Sequence, residues 1–128
     1  MSELFEYAVL RVVPRVERGE FVNAGVVLHC GSKGFLDARI HLDPARLTAL
    51  DPAADHGAVL AHLDVARLIC AGGAGAGYVG LLSRSQRFGW LTAPRSAVVQ
   101  PSPVHTGFAE DPAGTLEHLL RIMVLPLG

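Results

Sequence analysis

Three stretches near the start of the chain alternate apolar residues with others, and each is bounded by a turn signal. In EYAVLRVV, Ala8, Leu10 and Val12 point one way while Tyr7, Val9, Arg11 and Val13 point the other. In FVNAGVVLHC, Val22, Ala24, Val26, Leu28 and Cys30 form one apolar face, opposed by Phe21, Asn23, Gly25, Val27 and His29. In FLDARIHL, Leu36, Ala38, Ile40 and Leu42 oppose Phe35, Asp37, Arg39 and His41. Side chains alternate across a strand, so the pattern predicts three antiparallel strands with one face against a core. Gly31 to Gly34 suits a short hairpin turn, and Pro14 to Glu20 a longer charged one. Tyr7, Val9, Phe21 and Val27 are too apolar for a face that simply meets water. A second layer is expected over part of it, from the C-terminal segment or another subunit.

Helices follow the strands. Asp43-Pro44, Asp51-Pro52 and Asp111-Pro112 each put an N-capping carboxylate before a proline, which suits the first helical position. The first two pairs open short helices or turns. A longer helix is predicted from about Asp55 to Cys70, with Val59, Leu63, Ala66 and Cys70 in one stripe. After Asp111, Leu116, Leu119, Leu120, Met123 and Val124 recur at helical spacing. Ser83 and Gln86 form a capping box that opens a short helix through Arg87, Phe88 and Leu91, ended by Pro94. Ala97 to Gln100 and Val104 to Phe108 read as short strands separated by Pro101 and Pro103. The expected fold is α+β: a small antiparallel sheet of three N-terminal and one or two C-terminal strands, with helices packed on one face.

With 128 residues the chain fits one domain, residues 1–128. Half the residues are hydrophobic and only 18% are charged, which favours a well-buried domain with an apolar patch left for a partner. A net charge of −1 argues against nucleic acid or acidic membranes as partners. Neither a signal peptide nor a membrane-length apolar run is read, so a cytoplasmic location is expected.

Several motifs are decoys. Gly75 to Gly80, GAGYVG, matches G-x-G-x-x-G, but a helix rather than a strand precedes it, so it reads as a linker. Ser96, His105 and Asp111 lack any nucleophile context. Cys30 and Cys70 read as small buried hydrophobes, and the six histidines lack metal-ligand spacing. No cofactor, metal or catalytic set is expected.

Two polar groupings remain. On the second sheet face, Arg11 set across from Asn23 would place a guanidinium beside an amide. The other grouping is RFGWLTAPRSAVVQPSPVHTG, Arg87 to Gly107. Arg87 and Arg95 flank Trp90, and Ser96, Gln100, His105 and Thr106 follow. Converging arginine forks, hydroxyls and an imidazole would suit a phosphate or carboxylate. The competing reading is that they tie down irregular backbone around three prolines. Trp90 is expected to be packed, and Gly89 inside the helix costs about a kilocalorie relative to alanine, tolerable if a close backbone contact needs it.

The stretches YAVLRVVPRVERGEFVNAGVVLHC and RFGWLTAPRSAVVQPSPVHTG resemble those of an uncharacterised bacterial family, a domain of unknown function, from Glu6 to about Val124. Arg18, Gly19, Glu20, Asn23 and Gly25 match its first motif. Arg87, Trp90, Pro94, Arg95, Ser96, Ser102, His105, Thr106 and Gly107 match its second. The resemblance implies no catalytic residues. It does imply company, because such proteins are often encoded beside a HipA-like serine/threonine kinase. The expectation is therefore a non-catalytic accessory protein that binds a protein partner such as that kinase, with homo-oligomerisation open. Its candidate residues are Arg11, Arg18, Glu20, Asn23, Arg87, Trp90, Arg95, Ser96, His105 and Thr106. The alternative is a phosphate- or nucleotide-binding protein, or an enzyme, using Arg87, Arg95, Ser96 and His105.

Overall fold

The computed structural model describes residues 1–127. Strands β1 (Glu3–Val12), β2 (Val22–Cys30) and β3 (Phe35–Ile40) pair antiparallel in succession. The other edge of β1 is shared by β4 (Val99–Pro101), against Leu10–Val12, and β5 (His105–Ala109), against Glu3–Tyr7. Helices α1 (Pro44–Leu50), α2 (His56–Ala71) and α3 (Arg84–Leu91) lie between β3 and β4, and α4 (Pro112–Met123) closes the order. The architecture is the expected α+β one.

Ala8, Leu10, Val12, Leu36 and Ala38 point into a core closed by Val59, Leu63 and Ile69 of α2 and by Phe88 and Leu91 of α3. On the opposite face Phe5, Val26, Leu28 and Cys30 pack against Leu116 and Leu119 of α4 and against Val124. The foreseen second layer therefore comes from the C-terminal segment, and helices cover both faces of the sheet instead of one. Arg39 of β3 ties α4 down through an ion pair with Glu117, and Asp37 approaches the same guanidinium at 2.8 Å. The hydrogen bond to Glu117, above all, raises the pKa of Arg39.

Strand β2 does not keep one apolar face. Leu10 pairs with Gly25 and Arg11 with Asn23, so Ala24 is an extra residue, a β-bulge. Alternation inverts there: Val22 and Ala24 lie on the α2 face, but Val26, Leu28 and Cys30 lie on the α4 face and Val27 returns to the α2 core. Gly25 permits the bulge, because a Cβ there would stand 2.8 Å from Ile40 Cδ1 and 2.9 Å from the Arg39 carbonyl.

The break between β4 and β5 is mended by Ser102. Its amide donates to Val9 O at 2.8 Å, and its hydroxyl accepts from Val9 N at 2.8 Å while donating to Pro103 O at 2.9 Å. The side chain stands in for backbone that the flanking prolines cannot supply. Helix starts follow the sequence at Asp43 and Asp55, whose carboxylates accept N–H groups, and at the Ser83–Gln86 capping box. Asp111 differs: its carboxylate makes no capping bond and sits beside Gly114, so α4 begins on Pro112 without a side-chain cap. No helix among the described residues is long and apolar enough to cross a membrane.

Candidate functional site

Helix α3 decides what the second polar grouping can do. Its stripe Arg84-Arg87-Phe88-Leu91 turns Arg87, Phe88 and Leu91 inward, and Phe88 stacks on His29 with ring centroids 5.3 Å apart. Arg87 is 8% exposed. Its Nη1 donates to the carbonyls of Ile69 and Cys70, both at 2.7 Å, and its Nε to Leu82 O at 3.1 Å. A helix ends with carbonyls lacking partners, and here one guanidinium satisfies two of them. Arg87 thus pins α2 to the segment entering α3, with its fork turned away from solvent.

Trp90, on the outer side of α3, is 42% exposed and not packed as expected. The Arg95 guanidinium lies over the indole at 4.6 Å. Arg95 is held there by hydrogen bonds to the Trp90 carbonyl and, at 3.3 Å, to Ala93 O. The pair stands at the mouth of a groove of about 220 Å³ between α2, the end of α3 and β4. Leu10 and Ile69 lie at its base, His62 and Val65 form the α2 wall, and Val99 and Pro101 the β4 wall. Among the described residues, Arg95 and His62 are the ionisable groups that line it. Its apolar lining comes from α2, the end of α3 and the sheet, and no local sequence pattern brings those residues together.

His105 faces elsewhere. It pairs with Tyr7, ring centroids 5.4 Å apart, and Tyr7 packs on the α4 core. Arg87 and Arg95 belong to the α2 side, so the sheet stands between them and the imidazole. Ser96 and Thr106 are exposed, and no hydrogen bond joins either to Arg95 or His105 among the described residues. The structure therefore brings together Trp90 and Arg95 but not the Arg87, Arg95, Ser96 and His105 cluster. Gly89 faces open space, so no close contact requires it.

Arg11 and Asn23 do face each other across β1 and β2. The Arg11 guanidinium lies over Phe21 at 4.2 Å, and Asn23 Nδ2 donates to Met123 O at 3.1 Å, at the end of α4. Arg46 of α1 donates to Val124 O at 3.2 Å beside it. A cation and an amide donor suit the carbonyl end of a helix, so Asn23 anchors the covering helix. Arg11 Nε and Asn23 Oδ1 are buried without partners among the described residues. Arg18 and Glu20 pair with each other in the exposed turn before β2.

The glycine-rich segment follows α2 as two short 3₁₀ turns, Ala74–Ala76 and Tyr78–Leu81, closed by a Gly73 N–H to Gly80 O bond of 2.8 Å. An α-helix rather than a strand precedes it and no α-helix opens within it, so it lacks the setting that a dinucleotide fingerprint requires. Burial pushes the Cys70 thiol up to about 12, and both cysteines are buried.

One protein-family profile, described as "Protein of unknown function (DUF3037)", matches residues 7–124. The chain belongs to that family. The match takes in both the strands that carry Arg11 and Asn23 and the segment that carries Trp90 and Arg95. No curated protein and no solved structure matches the chain.

Proposed function

We propose that this chain is a non-catalytic partner protein that binds a HipA-like serine/threonine kinase and restrains it, or presents substrate to it. The observation that carries the reading is the half-exposed Trp90, braced by Arg95 at the edge of an apolar groove. Tryptophan and arginine dominate the binding energy of protein interfaces, and they do so beside pockets that exclude water. A large indole left open to solvent on a small domain is otherwise unfavourable. The kinase as partner rests on the resemblance to a family often encoded beside one. Because α4 covers the Arg11–Asn23 face, the contact surface in this reading contracts to the Trp90–Arg95 side.

The phosphate- or nucleotide-binding alternative draws no support from the geometry. Arg87 has turned its donors to backbone carbonyls, and His105 lies across the sheet from Arg95. Co-expression with a HipA-like kinase, followed by gel filtration at micromolar concentration, tests the proposal. Co-elution is expected, and separate elution of two folded proteins would end it. Kinase activity measured with and without the chain then separates restraint from presentation.

A further inference from the structure

Resting on that reading of the chain as a partner-binding protein, we infer that the Trp90–Arg95 groove receives one apolar side chain of a partner segment bearing a carboxylate beside it. The size of the groove sets the first limit. Sites for small ligands usually span about 300–1,000 Å³, and this one is about 220 Å³. It suits a single aliphatic or aromatic side chain better than a nucleotide.

Charge sets the second limit. Arg95 and His62 line the groove and no carboxylate does. Arg15, Arg18 and Arg39 are each paired with Asp or Glu, whereas Arg95 has no such partner among the described residues. Its Nε and Nη2 are anchored to backbone carbonyls and Nη1 makes no bond among the described residues, so the fork is already oriented before anything binds. A fixed guanidinium binds a carboxylate with little further loss of side-chain freedom.

The sheet edge sets the third. Pro101 and Pro103 give β4 and its continuation no N–H groups at those positions, so an added strand would find a broken ladder. Recognition must come from an inserted side chain and a flanking charge, not from backbone pairing.

The test selects 12-residue peptides from a random displayed library on the whole purified chain. Individual synthetic peptides are then titrated by the emission of Trp90, the sole tryptophan. Selected peptides are expected to share an aliphatic or aromatic residue within about two positions of Asp or Glu. Arg95→Glu, and separately Val65→Asp on the half-exposed α2 wall, should weaken them by about tenfold or more, as should Asn or Gln at the acidic position. Unchanged thermal unfolding of both variants shows that they remain folded.

Peptides without an acidic residue, affinity indifferent to Arg95→Glu, or quenching of Trp90 by inorganic phosphate or a nucleotide would overturn the inference. So would concentration-dependent self-association abolished by Val65→Asp, which would make a second copy the occupant. If the kinase co-elutes equally with Arg95→Glu, the groove inference falls and the partner reading stands. If acidic peptides bind but the kinase does not, the reverse holds.

Discussion

Arg87→Met isolates what the buried guanidinium does. Methionine keeps most of the apolar stem and removes every N–H donor, including those that make the three hydrogen bonds. The carbonyls of Ile69 and Cys70, at the end of α2, then lose the hydrogen bonds that Nη1 supplied at 2.7 Å. Leaving a buried carbonyl unsatisfied costs about 1–3 kcal/mol, so the pair amounts to about 2–6 kcal/mol. Gly72 packs directly under the guanidinium, where a Cβ would lie 2.7 Å from Nη1. Without side chains there, water can reach part of the exposed carbonyl surface, which puts the expectation at about 2–4 kcal/mol. Small domains have about 5–15 kcal/mol in hand, so the variant should still fold. With a urea m-value of about 1–3 kcal/mol/M, its midpoint should fall by about 0.7–4 M. Amide exchange should accelerate first in the last turn of α2. Arg87→Lys should recover only part of the loss, because one ammonium cannot reproduce the fork that also reaches Leu82 O. A loss below about 0.5 kcal/mol for Arg87→Met, or full recovery with lysine, would refute the reasoning.

Other substitutions test separate joints. Gly25→Ala should destabilise by about 1–3 kcal/mol, since its Cβ meets the Arg39 carbonyl as well as Ile40, and a silent result in urea unfolding would mean that the bulge relaxes freely. Gly89→Ala should stabilise by about 0.5–1 kcal/mol, because the site is helical and open; a thermal midpoint lower than wild type contradicts that. Cys70 gives a pH dependence of definite sign. Its folded pKa, about 12, exceeds its ordinary 9.0, so its contribution is complete below pH 9 and declines as pH rises towards 12, where the unfolded thiol ionises first. Cys70→Ala should flatten that part of a stability–pH curve, and identical curves for both proteins would count against it.

Much of the fold was legible because local signals agree. Alternation in β1 and β3, the caps at Asp55 and Ser83, and the Leu116–Leu119 stripe of α4 each match the observed elements. Strand β2 was not read correctly, since one extra residue at Ala24 inverts every side chain beyond it. The adjacent Val26 and Val27, both fully buried on opposite faces, mark a strand covered on both sides and leave the inversion itself unmarked in the sequence. The candidate site was half legible. Composition singles out Arg87 through His105, but a helical stripe through Arg87, Phe88 and Leu91 already turns Arg87 inward and Trp90 out. Ser102, between two prolines, carried a sequence signal for its bridging role. The groove wall at His62 and Val65 carried none of its own, because only tertiary packing brings α2 alongside β4.

On the proposal above, the Trp90–Arg95 groove is the surface that would hold the partner. Calorimetric titration of the purified HipA-like kinase with wild-type chain, and with a chain carrying Trp90→Ala and Arg95→Glu, addresses this directly. The account predicts saturable one-to-one heat with the wild type and at least about a hundredfold weaker binding for the double variant, consistent with losing an interface anchor. Equal affinity for both folded proteins would contradict it.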